Sequence, residues 1–200
     1  MEHNKKKILN TALILFARQG FRDTSTAQIA RDAGVANGTL FHYFATKADL
    51  IDAVFLICSI NVDKYYRKNV DRNRPLRDNF LQLHKNWLAF ALDQPEQYMI
   101  INQYLSSNIC SKLEKQEIFR EYIERIIKPG LQLGIFRDAS VELILDISCQ
   151  VLHIVILHFM DNPHLAADPE YVEQTMKFIW DSVRASSDVS REIPKSFTHH

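Results

Sequence analysis

The sequence predicts an all-α protein, and three observations support that fold class. Apolar residues recur at three- and four-residue intervals along most of the chain, whereas the alternation typical of strands is hard to find. The 200 residues include 5 Gly and 6 Pro and are 46% apolar, which excludes collagen-like, linker-like and disordered chains. The length is ample for a buried core, either of one domain or of a small domain joined to a larger one.

The first helix is predicted over residues 4–19, where the apolar side chains share one face. Gly20 follows and is predicted to end this helix as a left-handed cap. The sequence Ser25-x-x-Gln28 has the pattern of a capping box, in which the serine side chain accepts a hydrogen bond at the start of a helix. It places the start of a short second helix at about Thr26.

The second helix is predicted to end at Gly34, and a turn leads into a third helix over residues 37–43. Thr46-x-x-Asp49 resembles another capping box and predicts a long fourth helix over about residues 47–70. The two short helices are joined by a tight glycine turn. They have the dimensions of a helix-turn-helix, and their longer neighbours supply the surface on which they pack.

The chain beyond Pro75 is predicted to form five more helices, which gives about nine in all. Its apolar residues again repeat at helical spacing, and Pro129-Gly130 opens a turn region that runs to Phe136. These five helices are predicted over residues 76–91, 95–105, 111–128, 140–160 and 169–185. The polar residues from Ser186 onward are predicted to form a tail, in which His199 and His200, native or left from an expression tag, receive no function.

Charged residues are distributed unevenly along the chain, although its net charge is zero. Residues 1–75 carry 12 Lys and Arg against 7 Asp and Glu, whereas the remaining 125 residues carry 12 against 17. A basic segment joined to an acidic one is typical of a nucleic-acid-binding protein with a second function. Charged surface residues that are unevenly distributed for no functional reason give the same pattern.

A cytoplasmic protein is expected from the cysteines and the N-terminus. The three cysteines are far apart and lack a CxxC spacing, so neither a disulfide framework nor a zinc site is indicated. Residues 1–7 are polar and basic with no apolar run behind them, unlike a secretory signal. The longest apolar stretch, residues 151–160, is about half the length of a membrane span and is interpreted as a buried helix.

The helix-turn-helix presents two sets of residues that differ in their expected surroundings. The residues expected to form its core are Phe16, Ile29, Ala30, Val35, Leu40 and Phe44. On the outer side of the third helix, hydrogen-bonding groups alternate with small residues that permit close approach to DNA, a combination that suits a major groove. This outer set is Asn37, Gly38, Thr39, His42 and Tyr43.

Residues 8–54 resemble the DNA-binding domain of the TetR family of bacterial transcriptional regulators. The resemblance rests on several spaced motifs: Ile29-Ala30, Ala33-Gly34-Val35, Gly38-Thr39-Leu40-Phe41, Tyr43-Phe44 and Lys47-x-x-Leu50. The sequence from Leu133 to Arg137, ahead of two long helices, is similar to the family's regulatory domain. The resemblance implies a helix-turn-helix DNA-binding domain at residues 1–50, a helical ligand-binding and dimerisation domain at 51–190 and a polar tail at 191–200.

The resemblance also assigns DNA contacts. It implies that Thr39 and His42 contact base edges or nearby phosphates, and that Tyr43 and Lys47 bind the phosphate backbone. Three of these residues also have a simpler interpretation without DNA. His42 is then an exposed side chain, Tyr43 an aromatic residue packed beside Phe44, and Lys47 a solvated lysine at the start of a helix.

Two positions depart from the family pattern. Phe41 stands where tyrosine is common and lacks the hydroxyl that would reach phosphate. Ala36 stands where serine is frequent and cannot cap the third helix through its side chain, although Asn37 offers a substitute cap or phosphate donor.

The aromatic-rich helices of the second half form either a solid core or the wall of an effector cavity, and the resemblance favours the cavity. A mostly apolar wall with polar tips from His84, Tyr98 and Tyr104 predicts a hydrophobic effector, aromatic or with an acyl chain. The predicted lining residues are Phe80, His84, Trp87, Tyr98, Ile101, Tyr104, Leu105, Phe119 and Ile123.

The helix over residues 140–160 is apolar nearly all round, so one face requires a partner beyond the first layer of packing. The helix over residues 169–185 has matching apolar spacing. Pairing of both helices with their copies in a two-fold dimer is predicted, and a monomer that folds the excess apolar surface inward is the alternative. The predicted interface comprises Val151, Ile154, Val155, His158, Val172, Met176, Ile179 and Val183.

The predicted function is a ligand-responsive transcriptional regulator, a repressor that a hydrophobic small molecule releases from a palindromic operator. The alternative is a DNA-bound protein of the same kind whose second domain recruits a protein partner. An enzyme is not expected, because the sequence lacks a glycine-rich phosphate loop, a zinc-binding histidine motif and a Gly-x-Ser-x-Gly nucleophile motif. No cofactor or metal is expected either.

Overall fold

The computed structural model describes residues 2–66, 68–71, 73–110 and 118–186, and within those ranges it confirms the all-α fold. The polar tail at 191–200 and the start of the helix predicted from residue 111 lie outside the described residues. The helices are α1 (Glu2–Asp23), α2 (Thr26–Asp32), α3 (Asn37–Tyr43), α4 (Lys47–Tyr66), α5 (Leu76–Asp93), α6 (Pro95–Ser106), α7 (consecutive segments Arg120–Tyr122, Ile123–Ile127 and Lys128–Gln132), α8 (Val141–Asp161) and α9 (Pro169–Val183).

Gly20 bends α1 rather than ending it, which corrects the sequence prediction. Its φ of 82° and ψ of 163° are not helical, yet the chain resumes helical turns as far as Asp23. The bend is stabilised by Thr24, a buried residue whose hydroxyl donates a hydrogen bond to the carbonyl oxygen of Gly20 at 2.8 Å and lies 3.3 Å from that of Leu15. A carbonyl released from the helical ladder thereby keeps a partner.

Both predicted capping motifs are confirmed. Ser25 Oγ accepts a hydrogen bond from the backbone N–H of Gln28 at 3.1 Å, at the start of α2. At the start of α4 the capping box is reciprocal, because Thr46 Oγ1 accepts from the Asp49 N–H at 3.1 Å and Asp49 Oδ2 accepts from the Thr46 N–H at 2.8 Å. Gly34, with a φ of 66°, makes the turn after α2.

Two buried asparagines of α5 determine where α4 ends. Asn86 Nδ2 donates hydrogen bonds to the carbonyl oxygens of Tyr66 at 3.0 Å and Lys68 at 2.7 Å. Asn79 Nδ2 donates to the carbonyl oxygen of Asp71 at 2.7 Å, and its Oδ1 accepts from the Asp71 N–H at 3.3 Å. Because these bonds require a non-helical chain, α4 ends at Tyr66 and not near residue 70.

α7 continues further than predicted. Its middle segment, Ile123–Ile127, is a π-helical turn, and Pro129 lies in the first turn of the α-helical segment that follows, where a missing N–H is tolerated. The predicted turn region therefore begins after Gln132 and not at Pro129. At Gly130 a Cβ atom would lie 2.4 Å from the Phe136 ring, so only glycine fits beside that ring without a shift.

α5 lies at the centre of the C-terminal half and packs against α4, α6, the π-helical turn of α7, α8 and α9. Phe80, fully buried on α5, lies 5.3 Å from Trp180 and 5.7 Å from Phe136, measured between ring centroids. The N-terminal half meets this core mainly through α1 and α4, both of which pack against α6. α6 therefore lies between the two halves of the molecule.

α8 is long and apolar enough to cross a membrane by length and composition alone, but 39% of its most apolar window is buried inside this chain. The buried side packs against α5 and α9. Several large apolar side chains of α8 and α9 remain exposed in the single chain. They are Leu143 at 50%, Ile154 at 66%, Leu157 at 38% and Phe178 at 70% exposure.

The interface prediction is corrected for four residues. They lie inside the single chain at 0–7% exposure and so do not reach a second copy. One is on the buried side of α8, and the other three form the apolar stripe of α9, which faces α5 and α8 of its own chain. The four are Val155, Met176, Ile179 and Val183. The other predicted interface residues are only partly covered: Ile154 is exposed, and Val151, His158 and Val172 are half-buried.

Candidate functional site

The helix-turn-helix consists of α2, the turn at Gly34 and α3, supported by α1. Its predicted core is confirmed, since five of the six expected residues are 0–5% exposed and Val35 is half-buried against them. The five are Phe16, Ile29, Ala30, Leu40 and Phe44. Two helices of seven residues each cannot be stable alone, so this shared core fixes the orientation of α3.

The outer side of α3 is accessible, as a groove-binding helix requires. Asn37, Gly38 and His42 are exposed, and Thr39 and Tyr43 are half-buried. Ala36 caps α3 without a side-chain hydrogen bond, as expected, and Asn37 does not replace it, because Asn37 is the first residue of the helix itself.

Phe41 also lies on the outer side of α3. Its side chain is 44% exposed, which is unusual for a large apolar residue. The exposure of this side chain was not predicted from the sequence. Its position on α3 next to His42 gives the helix an apolar side chain among hydrogen-bonding ones. Apolar side chains of this kind contact the methyl group of thymine in major grooves.

Lys47 and Tyr43 have partners within the chain. Lys47 Nζ donates to the carbonyl oxygen of Arg22 at 3.3 Å, so this lysine connects the start of α4 to the last turn of α1. The Tyr43 ring lies 5.4 Å from His42 and 6.5 Å from Phe44, measured between centroids. Both residues are half-buried, at the edge of the surface that α3 presents.

A narrow pocket of about 60 Å³ lies between α5, α6, α7 and α8. Six of the nine predicted residues line it: His84, Trp87, Tyr98, Ile101, Leu105 and Phe119. The other six lining residues were not predicted: Tyr66, Leu83, Asn102, Tyr122, Cys149 and Leu152. Asn102 could have been found, because it completes the i, i+3, i+4, i+7 pattern of the pocket face of α6.

Three predicted lining residues lie elsewhere. Phe80 belongs to the aromatic cluster around Trp180, and the Tyr104 ring stacks on Phe55 of α4 at 3.9 Å between centroids. Ile123 is buried in the π-helical turn of α7 but does not reach the pocket. Periodicity places such residues on a buried face without telling which neighbour that face meets.

The pocket contains polar side chains on two sides. Tyr98 Oη lies 2.6 Å from His153 Nδ1, and Asn102 Nδ2 lies 3.4 Å from His153 Nε2. On the other side, His84 Nδ1 donates to the carbonyl oxygen of Phe80 at 2.7 Å, which leaves Nε2 as the acceptor of the neutral ring. Burial lowers the pKa of His84 to about 4 against the opposing effect of that carbonyl, so the ring is neutral near pH 7.

The Tyr122 hydroxyl is buried in the pocket wall and has no hydrogen-bond partner among the described residues. Burial raises its pKa well above the ordinary value, with Ser148 opposing the shift. The Ser148 hydroxyl donates to the carbonyl oxygen of Ile144 at 2.6 Å, and its oxygen keeps lone pairs that accept hydrogen bonds. A buried hydroxyl without a partner is costly, so Tyr122 is a candidate contact for a ligand atom.

Comparison with known proteins points to one family. The model of the bacterial regulatory proteins of the tetR family matches residues 8–54. The HTH-type transcriptional repressor KstR2 of Rhodococcus jostii is 28% identical over 149 residues, which are 70% of this chain and 71% of that one. The crystal structure of a TetR-family transcription regulator from Shewanella sp. PV-4 superposes with a TM-score of 0.80 at 28% identity, covering 92% of this chain and 99% of that one.

These matches support membership of the TetR family. Regulators of this family bind operator DNA, typically as dimers. Bacillus subtilis FadR, whose crystal structure is a complex with stearoyl-CoA, shares the fold at a TM-score of 0.63 and 16% identity, with 89% of this chain and 98% of that one covered. The helix-turn-helix is thus the DNA-binding part of a transcriptional regulator, as the resemblance implies.

His84 gives the protein a predicted pH dependence of stability. The unfolded chain binds a proton near the ordinary histidine pKa of 6.5, whereas the folded chain binds it only near pH 4. Stability from His84 is therefore complete above pH 6.5 and is lost as the pH falls, and the free energy of unfolding decreases by about 2 kcal/mol from this group between pH 7 and pH 5.

Urea unfolding at pH 7 and pH 5 tests this expectation. His84→Leu removes the titrating group, so the variant is expected to lose less stability than the wild type over the same interval. Equal losses in the two proteins would show that His84 is not buried in its neutral form.

Proposed function

We propose that this protein is a homodimeric repressor that reads a palindromic operator through α3 and leaves it when a hydrophobic small molecule occupies the pocket between α5, α6, α7 and α8. The observation that carries this proposal is the position of α6. One face of the helix lines the pocket with Tyr98, Ile101 and Asn102, and another face packs on the N-terminal half.

Two contacts join α6 to the DNA-binding part. Gln103 Nε2 donates to the carbonyl oxygen of Phe16, in the core of the helix-turn-helix, at 3.2 Å. Tyr104 stacks on Phe55 of α4, the helix that begins directly after α3. A ligand that displaces α6 therefore displaces α1, which packs against α3, and α4, which follows α3 in the chain.

The relatives support the repressor and effector parts of the proposal. KstR2 is a transcriptional repressor by its name, and the FadR structure contains an acyl thioester. The mostly apolar pocket wall agrees with an effector that has a hydrophobic part.

The effector is tested by extracting the purified protein and identifying copurified compounds by mass spectrometry. A compound that binds the pocket should release operator DNA in an anisotropy titration. Leu105→Trp, which fills the pocket, should abolish that release while leaving affinity for the operator unchanged. Met99→Trp, a half-buried position on α6 outside the pocket, serves as the matched control. Release that survives Leu105→Trp would refute an effector site here.

The DNA contacts are tested by two substitutions with different expected signatures. Thr39→Ala should change the preference among operator bases, at about 1–3 kcal/mol for a lost base contact. Lys47→Gln removes a charge but keeps an N–H donor for the Arg22 carbonyl, so it should weaken binding to all sequences and reduce the salt slope by about one.

Anisotropy titrations over a salt series on operator and scrambled duplexes give both quantities. Lys177→Gln, an exposed lysine of α9, controls for the loss of one positive charge. Equal effects of the Lys47 and Lys177 substitutions would contradict the phosphate contact.

The dimer is proposed to form through the exposed apolar residues of α8 and α9, and Ile154→Glu or Phe178→Glu should yield a folded monomer with little operator affinity. Leu133→Glu, which changes a side chain 70% exposed outside these helices, should leave the dimer intact. Light scattering distinguishes the outcomes, and a dimer that survives both substitutions would refute the interface.

A further inference from the structure

The pocket adjoins a second and much larger cavity. This groove has a volume of about 600 Å³, ten times that of the pocket, and the two share Tyr66 and Leu83 as walls. The groove is lined by Tyr66, Val70, Arg74, Leu76, Asn79, Leu83, Glu121, Arg125 and Ile126. A ligand that extends past Tyr66 and Leu83 would occupy both cavities.

The two cavities differ in charge. Among the described residues, the pocket wall contains no Asp, Glu, Lys or Arg, whereas the groove is lined by Arg74 and Arg125. One carboxylate, that of Glu121, also lines the groove and lies 2.8 Å from Arg125 Nη1. That ion pair uses one nitrogen of a guanidinium that has five N–H donors, and Arg74 adds a further positive charge.

Arg74 is held in place although it lies in the connection between α4 and α5. Asn79 Nδ2 lies 3.4 Å from the Arg74 carbonyl oxygen and also binds Asp71, so a buried side chain fixes the backbone that carries this arginine. Arg125 projects from α7. Two arginines on fixed backbone that line one groove suit an anionic group, because guanidinium groups bind carboxylates and phosphates through charge-assisted hydrogen bonds.

Tyr122 lies where the two cavities meet along α7. Its neighbour Glu121, together with Arg125 one turn later, lines the groove, whereas Tyr122 lines the pocket with a buried hydroxyl that has no partner in the described chain. An oxygen atom near the head group of a ligand would accept the missing hydrogen bond there.

We propose that the effector is an anionic amphiphile, whose phosphate or carboxylate head binds in the groove at Arg74 and Arg125 while its apolar chain passes Tyr66 and Leu83 into the pocket. This inference rests on the proposed function, since it specifies the effector of that same site. The pocket has a volume of about 60 Å³, and one water-sized group needs about 10–15 Å³. The pocket therefore accepts about four to six such groups, which matches the four carbon atoms at the end of an octyl chain.

Isothermal titration calorimetry with three probes of equal chain length tests the head group. Octyl phosphate and octanoate are expected to bind at least about tenfold more tightly than octan-1-ol, as expected for charge-assisted hydrogen bonds. The ranking of the two anions identifies which head group is preferred. Equal affinity for all three probes, or no binding by any of them, would overturn the proposal.

Arginine variants locate the head group. Arg74→Gln and Arg125→Gln should each reduce the affinity for the anionic probes toward that for octan-1-ol and leave octan-1-ol binding unchanged. Arg77→Gln is the matched control, because Arg77 lies over Trp180 and outside the groove. An effect of the Arg77 substitution as large as that of the other two would refute a specific head-group site.

Tyr122→Phe provides an independent readout. Removing a buried hydroxyl without a partner should raise the melting temperature of the free protein, yet it should weaken binding of the anionic probes severalfold. A lower melting temperature would show that the hydroxyl already has a partner and would remove this part of the argument for the ligand.

The two proposals fail in different ways. Probes that bind with a strong preference for anions but never release operator DNA would refute the proposed function and leave this head-group site standing. Release of DNA by octan-1-ol as readily as by octyl phosphate would refute the head-group site and leave the proposed function standing.

Discussion

The structure of the C-terminal half depends on the satisfaction of polar side chains that α5 carries into the core. α5 packs against five other helices, so Asn79, His84 and Asn86 are 4–7% exposed, and a buried polar group is costly unless it is hydrogen-bonded. Each of them meets this requirement by binding backbone carbonyl oxygens. The bonds made by the two asparagines end α4 at Tyr66 and shape the connection to α5, which is where the pocket and the groove adjoin.

The same packing makes α4 and α6 common to both candidate sites. α4 begins at the reciprocal capping box beside α3 and ends in the hydrogen bonds of Asn86. α6 lines the pocket and is joined to the helix-turn-helix core by the hydrogen bond of Gln103 to Phe16. The DNA-facing helix and the pocket are therefore not separate modules on a flexible linker, because continuous helices with buried contacts connect them.

The sequence predicted local structure well and the direction of buried faces less well. A cap such as Ser25 or Thr46 acts over three residues, and the helix-turn-helix core follows from short-range periodicity, so both could be identified without the fold. By contrast, the stripe of Ile179 on α9 is apolar whether it faces its own chain or a second copy, and the burial of that residue depends on α5 and α8. The partners of Asn86 are likewise about 20 residues away, and no local pattern indicates them.

The small volume of the pocket constrains how an effector acts. A ligand larger than about 60 Å³ must widen the pocket, and its binding energy then favours a conformation that the free protein adopts rarely. To shift the ratio of two protein conformations from 1:99 to 99:1, a ligand must bind the favoured conformation more tightly by about 5.5 kcal/mol. A ligand that fits the pocket equally well in both conformations does not provide this difference. Widening that moves α6 is coupled to α1 through Gln103 and to α4 through Tyr104, so the free energy spent on opening the pocket also displaces the supports of α3. The small pocket and the buried contacts of α6 act together, since neither alone would connect ligand binding to DNA binding.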